Sequence, residues 1–190
     1  MRLILASASP RRLDLLDRIG VHPDAVIPAD VNESVPKGEL PRDHALRLAR
    51  EKAEAVATQE PNALVLAADT VVAVGRRILP KVEDEATLRA CMHLLSGRRH
   101  RVLTGVALAI PGADTRERLV ETMIAMKRLS DEEIDHYASH GEWRGKAGGY
   151  ALQGYGEVYV RHIAGSYSNV VGLPLAETRV LLKSAGYPIA

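Results

Sequence analysis

A chain of 190 residues is long enough for one domain with a proper core, and residues 1–190 are read as a single domain. Its 25 Lys and Arg stand against 24 Asp and Glu, a net charge of +1, which excludes a general pull toward nucleic acid or an acidic membrane surface. One cysteine, Cys91, excludes a disulfide framework within the chain and the Cys-rich zinc patterns. Any anion site must therefore be local. No apolar run reaches membrane-spanning length and the N-terminus shows no secretory apolar region, so the expectation is a cytoplasmic protein.

In chain order, the pattern predicts a strand over 2–6 that runs through Ser7-Ala8-Ser9-Pro10-Arg11-Arg12 into a helix over 10–19. Pro10 suits the first helical position and Ser9 the N-cap, so free amides and the positive helix end should face the same space as Arg11 and Arg12. That junction suits phosphate, although an ordinary capped helix with solvated arginines has the same start. It is not a Walker loop, because the spaced glycines and the Gly-Lys-Ser/Thr ending are absent. A strand near 24–28 follows, then a loop over 29–41 that carries Glu33.

The next helix, 42–58, has Ala45, Leu46, Leu48, Ala49, Ala53 and Val56 along one arc, and Lys52 falls inside it. Arg47, Arg50, Glu51 and Glu54 take the opposite side. Either the Lys52 stem snorkels along apolar surface or its ammonium faces an interior cleft and meets an anion there. A strand over 63–74 reads as buried on both faces, yet it contains Asp69 followed by Thr70. A carboxylate there needs a cation, a metal, or a break in the sheet that opens onto a crevice; a strand end bonded to backbone is the plainer alternative. Lys81 precedes a helix over 84–95, in which Cys91 joins Leu88, Met92 and Leu95 as core.

Beyond it lie a strand-rich stretch over 99–127, a helix over 131–139, a Gly-dense loop over 141–157, a strand over 157–163 and a helix over 174–185. Antiparallel strands and a mixed sheet fit 99–127 equally. The alternation of helices and strands gives an α/β class. His136 and His140 stand four apart on a helix, but with no Glu at the catalytic place and no further ligand in sight they are set aside as a zinc pair. Trp143 and six scattered tyrosines make no stacking array for single-stranded nucleic acid.

Six segments together resemble the Maf family, in order and from residue 3 to about 182. They are Ala-Ser-Ala-Ser-Pro-Arg-Arg at 6–12, Leu-Ala-Arg-Glu-Lys-Ala at 48–53, Ala-Asp-Thr-Val-Val at 68–72, Leu-Ser-Gly at 95–97, Lys-Ala-Gly-Gly-Tyr-Ala-Leu-Gln-Gly at 146–154 and Gly-Ser-Tyr-Ser-Asn-Val-Val-Gly-Leu-Pro-Leu at 165–175. The resemblance implies a Maf/inosine-triphosphatase-like α/β fold, a mixed central sheet flanked by helices with two lobes around a cleft. It implies a nucleoside triphosphate pyrophosphatase that cuts between the α and β phosphates, with house-cleaning of non-standard nucleotides as its role.

Carried over by position, Asp69 resembles the family's proton acceptor. Arg11, Thr70 and Gln153 match the positions tied to base selectivity. Ser9, Arg12, Lys52 and Lys81 match the surroundings of the triphosphate, and Glu33 with Asp69 would hold a divalent cation, Mg²⁺ or Mn²⁺. Gln153 and the Gly-Ser-Tyr segment resemble the branch that acts on dTTP and UTP, since an amide can pair with the carbonyl and N–H edge of uracil or thymine. The expected partner is a small nucleotide, with a homodimer as the expected assembly. The alternatives are a pyrophosphatase for modified purine nucleotides and a non-catalytic nucleotide-binding regulator of septum formation. Three positions depart from the family pattern: Val82 follows Lys81 where a proline is usual, Gly145 replaces an acidic residue, and Met126 replaces a phenylalanine.

Overall fold

Residues 1–189 are described by a computed structural model built around one twisted sheet. Strand β1 (Leu3–Leu5) pairs in parallel with both β2 (Ala25–Val26) and β3 (Leu64–Val74). Strand β4 (Arg77–Leu79) folds back on β3, and β6 (Arg99–Ile110) runs antiparallel to it on the other edge. The order then continues through β7 (Ala113–Met126) to β9 (Val160–Ala164), so the sheet is mixed. The 99–127 stretch is an antiparallel hairpin, turned at Gly112 with φ +70°. A separate two-stranded ladder joins β5 (Lys81–Val82) to β8 (Lys146–Ala147).

Among the described residues six α-helices cover this frame: α1 (Pro10–Asp17), α2 (Pro41–Gln59), α3 (Glu85–Leu95), α4 (Asp131–His140), α5 (Tyr167–Val171) and α6 (Leu175–Ser184). The period of two along β3 divides the first lobe's core. Leu64, Leu66 and Ala68 pack with Leu15 and Leu16 of α1 and Leu181 and Leu182 of α6, whereas Val65 and Ala67 meet Ala49, Ala53 and Val56 of α2. Small side chains on that second face let α2 lie close to the sheet. The second lobe has its own core, where Leu88, Cys91, Met92 and Leu95 of α3 meet Ile134 and Tyr137 of α4 together with Trp143, Tyr150 and Met126. Cys91 is core, as its pattern predicts, and burial pushes its thiol pKa up.

The elements that the sequence does not reveal are β4, β5, β8 and α5, each two to five residues long and so too short to show a period. Residues 157–159, expected to open a strand, complete a 3₁₀ turn over Tyr155–Tyr159 instead. The Glu142 carboxylate accepts from the amides of Tyr155 and Gly156 at 3.0 and 2.9 Å and holds the start of the turn, and the Glu157 amide donates to the Gly154 carbonyl at 3.2 Å, inside the turn and not across a ladder. No helix among the described residues is long and apolar enough to cross a membrane.

Candidate active site

Between the lobes lies a cleft of about 400 Å³, lined by Ser9, Arg11, Arg12, Glu33, Lys52, Asp69, Thr70, Lys81 and Gln153. All nine sequence-predicted residues thus share one space. Arg144, Lys146 and Tyr150 line it as well.

At its floor, β3 presents Asp69, 5% exposed, beside Thr70. Helix α2 crosses this strand with its apolar face down, and Lys52 points from that face into the cleft. Its ammonium donates to Asp69 Oδ1 at 2.7 Å and reaches Glu33 Oε1 at 2.6 Å. Lys52 is 7% exposed, so the burial of Asp69 is matched by a cation that is buried too. The snorkelling alternative does not hold, because the head of the side chain stays inside.

Glu33 also binds Lys81, which sits on the two-stranded ladder opposite Ala147. Partial burial pushes the Glu33 carboxyl upward, but hydrogen bonds and charge attraction from Lys52 and Lys81 outweigh it and hold the pKa down to about 2. The loop that carries Glu33 is fixed to α2 nearby. Glu39 accepts from Arg47 Nε at 2.7 Å and meets His44 Nδ1 at 2.6 Å, while Arg47 Nη2 donates to the Ser34 carbonyl at 3.1 Å.

The strand-to-helix junction differs from its sequence reading in two respects. Ser9 occupies the N-cap with φ −84° and ψ 114°, and Pro10 follows it, but the Ser9 side chain makes no capping bond. The hydroxyl of Ser7 instead accepts from the Ser9 amide at 3.2 Å. The Arg12 guanidinium, moreover, is already held by the protein. Arg12 donates from Nε to the Gly172 carbonyl at 2.8 Å, from Nη1 to Ser7 Oγ at 2.9 Å and from Nη2 to Thr70 Oγ1 at 3.3 Å. One N–H on each terminal nitrogen remains. Burial lowers the Arg12 pKa against the pull of Asp69 and Glu33, and burial lowers that of Arg11, whose Nε reaches the Val171 carbonyl at 3.4 Å.

Sequence reasoning missed the groups that hold this wall. Thr104 Oγ1 lies 3.0 Å from Thr70 Oγ1 and donates to the Asn169 carbonyl at 3.0 Å. Asn169 Nδ2 donates to the Val102 carbonyl and to Thr122 Oγ1. Thr104 carries the signal that exposed Asp69, a polar residue within a buried apolar strand. Lys146, whose Nζ donates to the Glu142 carbonyl, was visible only as the first residue of the 146–154 segment, with no role given to it; burial and the nearby Arg11 lower its pKa. Away from the cleft, His136 and His140 meet at 3.3 Å between their Nε2 atoms, and the His140 ring stacks on Tyr155.

Glu33 and Asp69 offer hard carboxylate oxygens that converge on one point, which suits Mg²⁺ or Mn²⁺. No group of three His, Cys, Asp or Glu side chains converges among the described residues. A cation held by two carboxylates, with its other positions left for water and phosphate oxygens, is the ordinary binding mode of magnesium.

Residues 2–185 match the family described as Maf-like protein. The chain belongs to the Maf family. Within it, the dTTP/UTP pyrophosphatase of Novosphingobium aromaticivorans is 60% identical over 187 residues, which cover 98% of this chain and 93% of that one. The dTTP/UTP pyrophosphatase of Caulobacter vibrioides is 60% identical over 185 residues, 97% of this chain and 96% of that one. Among solved structures, a HAM1 protein from Coxiella burnetii superposes with a TM-score of 0.53 at 15% identity, over 97% of this chain and 100% of that one. This Maf chain and that protein share an α/β fold with a mixed central sheet flanked by helices.

Proposed function

We propose that this Maf-family chain is a nucleoside triphosphate pyrophosphatase that hydrolyses dTTP and UTP to the monophosphate and pyrophosphate, with residues 1–190 acting as one domain. The observation that carries the reading is the buried Asp69–Lys52 pair on the floor of a cleft that also holds Glu33, Lys81, Arg11 and Arg12. Relatives about 60% identical over nearly the whole chain bear that activity in their names. A single buried cysteine fits a cytoplasmic location.

In this reading water bonds to the α-phosphorus, the bond to the α–β bridging oxygen breaks, and Asp69 takes the proton released by the water. Lys52, Lys81 and the two remaining Arg12 N–H groups offset the charge that gathers on the departing pyrophosphate, and Ser9 borders the same phosphates at the start of α1. A divalent cation on Glu33 and Asp69 would supply further positive charge to the phosphate oxygens. Arg11, Thr70 and Gln153 are assigned to the base. Gln153 is exposed to the cleft, where its amide can donate to one carbonyl of uracil or thymine and accept from the ring N–H.

The test is anion-exchange analysis of dTTP, UTP, CTP, GTP, ITP and 7-methyl-GTP after incubation with Mg²⁺ or Mn²⁺. Monophosphate and pyrophosphate from dTTP and UTP ahead of the others is the expected result. The same products from a purine nucleotide alone would overturn the base assignment, and binding without turnover would overturn the enzyme.

A further inference from the structure

The carboxylate pair assigned to the metal already has a cation between its members. Lys52 Nζ lies 2.7 Å from Asp69 Oδ1 and 2.6 Å from Glu33 Oε1, which accounts for two of the three N–H bonds an ammonium can donate. No other side chain joins both acids among the described residues. Lys81 is half exposed and touches Glu33 alone, and three Arg12 donors are committed to Ser7, Thr70 and Gly172. Two like charges this near one another would repel without a partner.

We propose that Lys52 is the resident cation of the Glu33–Asp69 pair, and that its ammonium must be drawn away by the triphosphate before a divalent ion can be held there. The proposal rests on the pyrophosphatase reading for the identity of the anion that draws Lys52 away. An ammonium and a divalent ion compete for the same carboxylate oxygens, so one excludes the other. Lys52 cannot retreat along its stem, because that stem lies among Leu48, Ala49, Ala53 and Val56 on the buried face of α2, where an unpaired ammonium is costly. Its way out is toward another anion in the cleft. Phosphate oxygens provide one, on the side where Arg11 and Arg12 stand. The protein alone should therefore bind the divalent ion weakly, and the ion should enter together with the nucleotide.

The test is Mn²⁺ binding to full-length protein without nucleotide, read from the electron paramagnetic resonance of free Mn²⁺. Lys52→Met keeps the packed stem and removes the charge, and it should bind Mn²⁺ tighter than wild type by about tenfold or more. Lys81→Met removes only an outer partner of Glu33 and should gain much less. Equal affinity in wild type and Lys52→Met would overturn the proposal, as would equal gains in the two variants. A readout on wild type does not depend on how a variant folds. The Lys52 ammonium resonance should hold its position under saturating Mg²⁺ alone and shift when a non-hydrolysable dTTP analogue is added with it; a shift with Mg²⁺ alone overturns the proposal. Turnover of dTTP by the same wild-type preparation separates the two readings. Its absence beside the predicted Mn²⁺ difference would overturn the pyrophosphatase and leave Lys52 as the resident cation.

Discussion

Asp69 and His100 are both buried, and they meet the cost of burial in opposite ways. Asp69 keeps a counter-charge within 2.7 Å, while His100, 1% exposed, has among the described residues only the Tyr150 hydroxyl, 2.7 Å from its Nε2. Burial lowers the His100 pKa to about 4. An unfolded histidine titrates near about 6.5, so between those values the unfolded chain binds the extra proton and stability rises with pH. This contribution is complete above about pH 6.5, and about 2 kcal/mol of it is lost by about pH 5. Urea unfolding at about pH 7.5 and about pH 5 should show that loss in wild type and not in His100→Gln; an equal pH dependence in both would contradict it. Lys52 and Asp69 were legible in the sequence because each interrupts an apolar pattern. The partners of Arg12 were not, because Gly172 lies 160 positions away along the chain and nothing in the Ser-Pro-Arg-Arg segment points to it.

Helix α2 sets the position of Lys52, and a glycine sets the height of α2. Gly105 of β6 pairs with Asp69 of β3, and a Cβ on it would stand 2.3 Å from the Ala45 carbonyl oxygen. Backbone cannot yield as a side-chain tip does. Gly105→Ala should therefore lift α2, lower stability by about 1–3 kcal/mol and reduce turnover of dTTP through the displaced Lys52. Thermal unfolding together with initial rates checks this, and a variant with wild-type values of both would refute the role of the close approach. The long elements were legible because eight or more residues display a period: α2 begins and ends within one residue of its predicted span. Glu33 could not be placed by any period. Its loop is fixed by Glu39, His44 and Arg47, whose contacts form only once the loop lies on α2.

Across the whole molecule, one lobe supplies Asp69, Lys52 and the arginines, and the small β5–β8 ladder of the other brings Lys81 opposite Ala147. The family departures at 82 and 145 meet at that ladder. Val82 is buried and its carbonyl accepts from the Gly145 amide at 2.9 Å, while Gly145 turns with φ +67°, a conformation that favours glycine. The α/β class and the cleft were legible from the alternation of elements and from the family resemblance, whereas the ladder that closes the cleft is too short to leave a trace. The central claim is that this cleft hydrolyses dTTP and UTP through Asp69. It is tested most directly by pyrophosphate release from dTTP under saturating Mg²⁺, with wild type compared to Asp69→Asn, a variant of nearly the same shape. The account predicts rapid release by wild type and a loss of about 10²–10⁴-fold in the variant with its fold retained; a folded variant with a near-normal rate would contradict it.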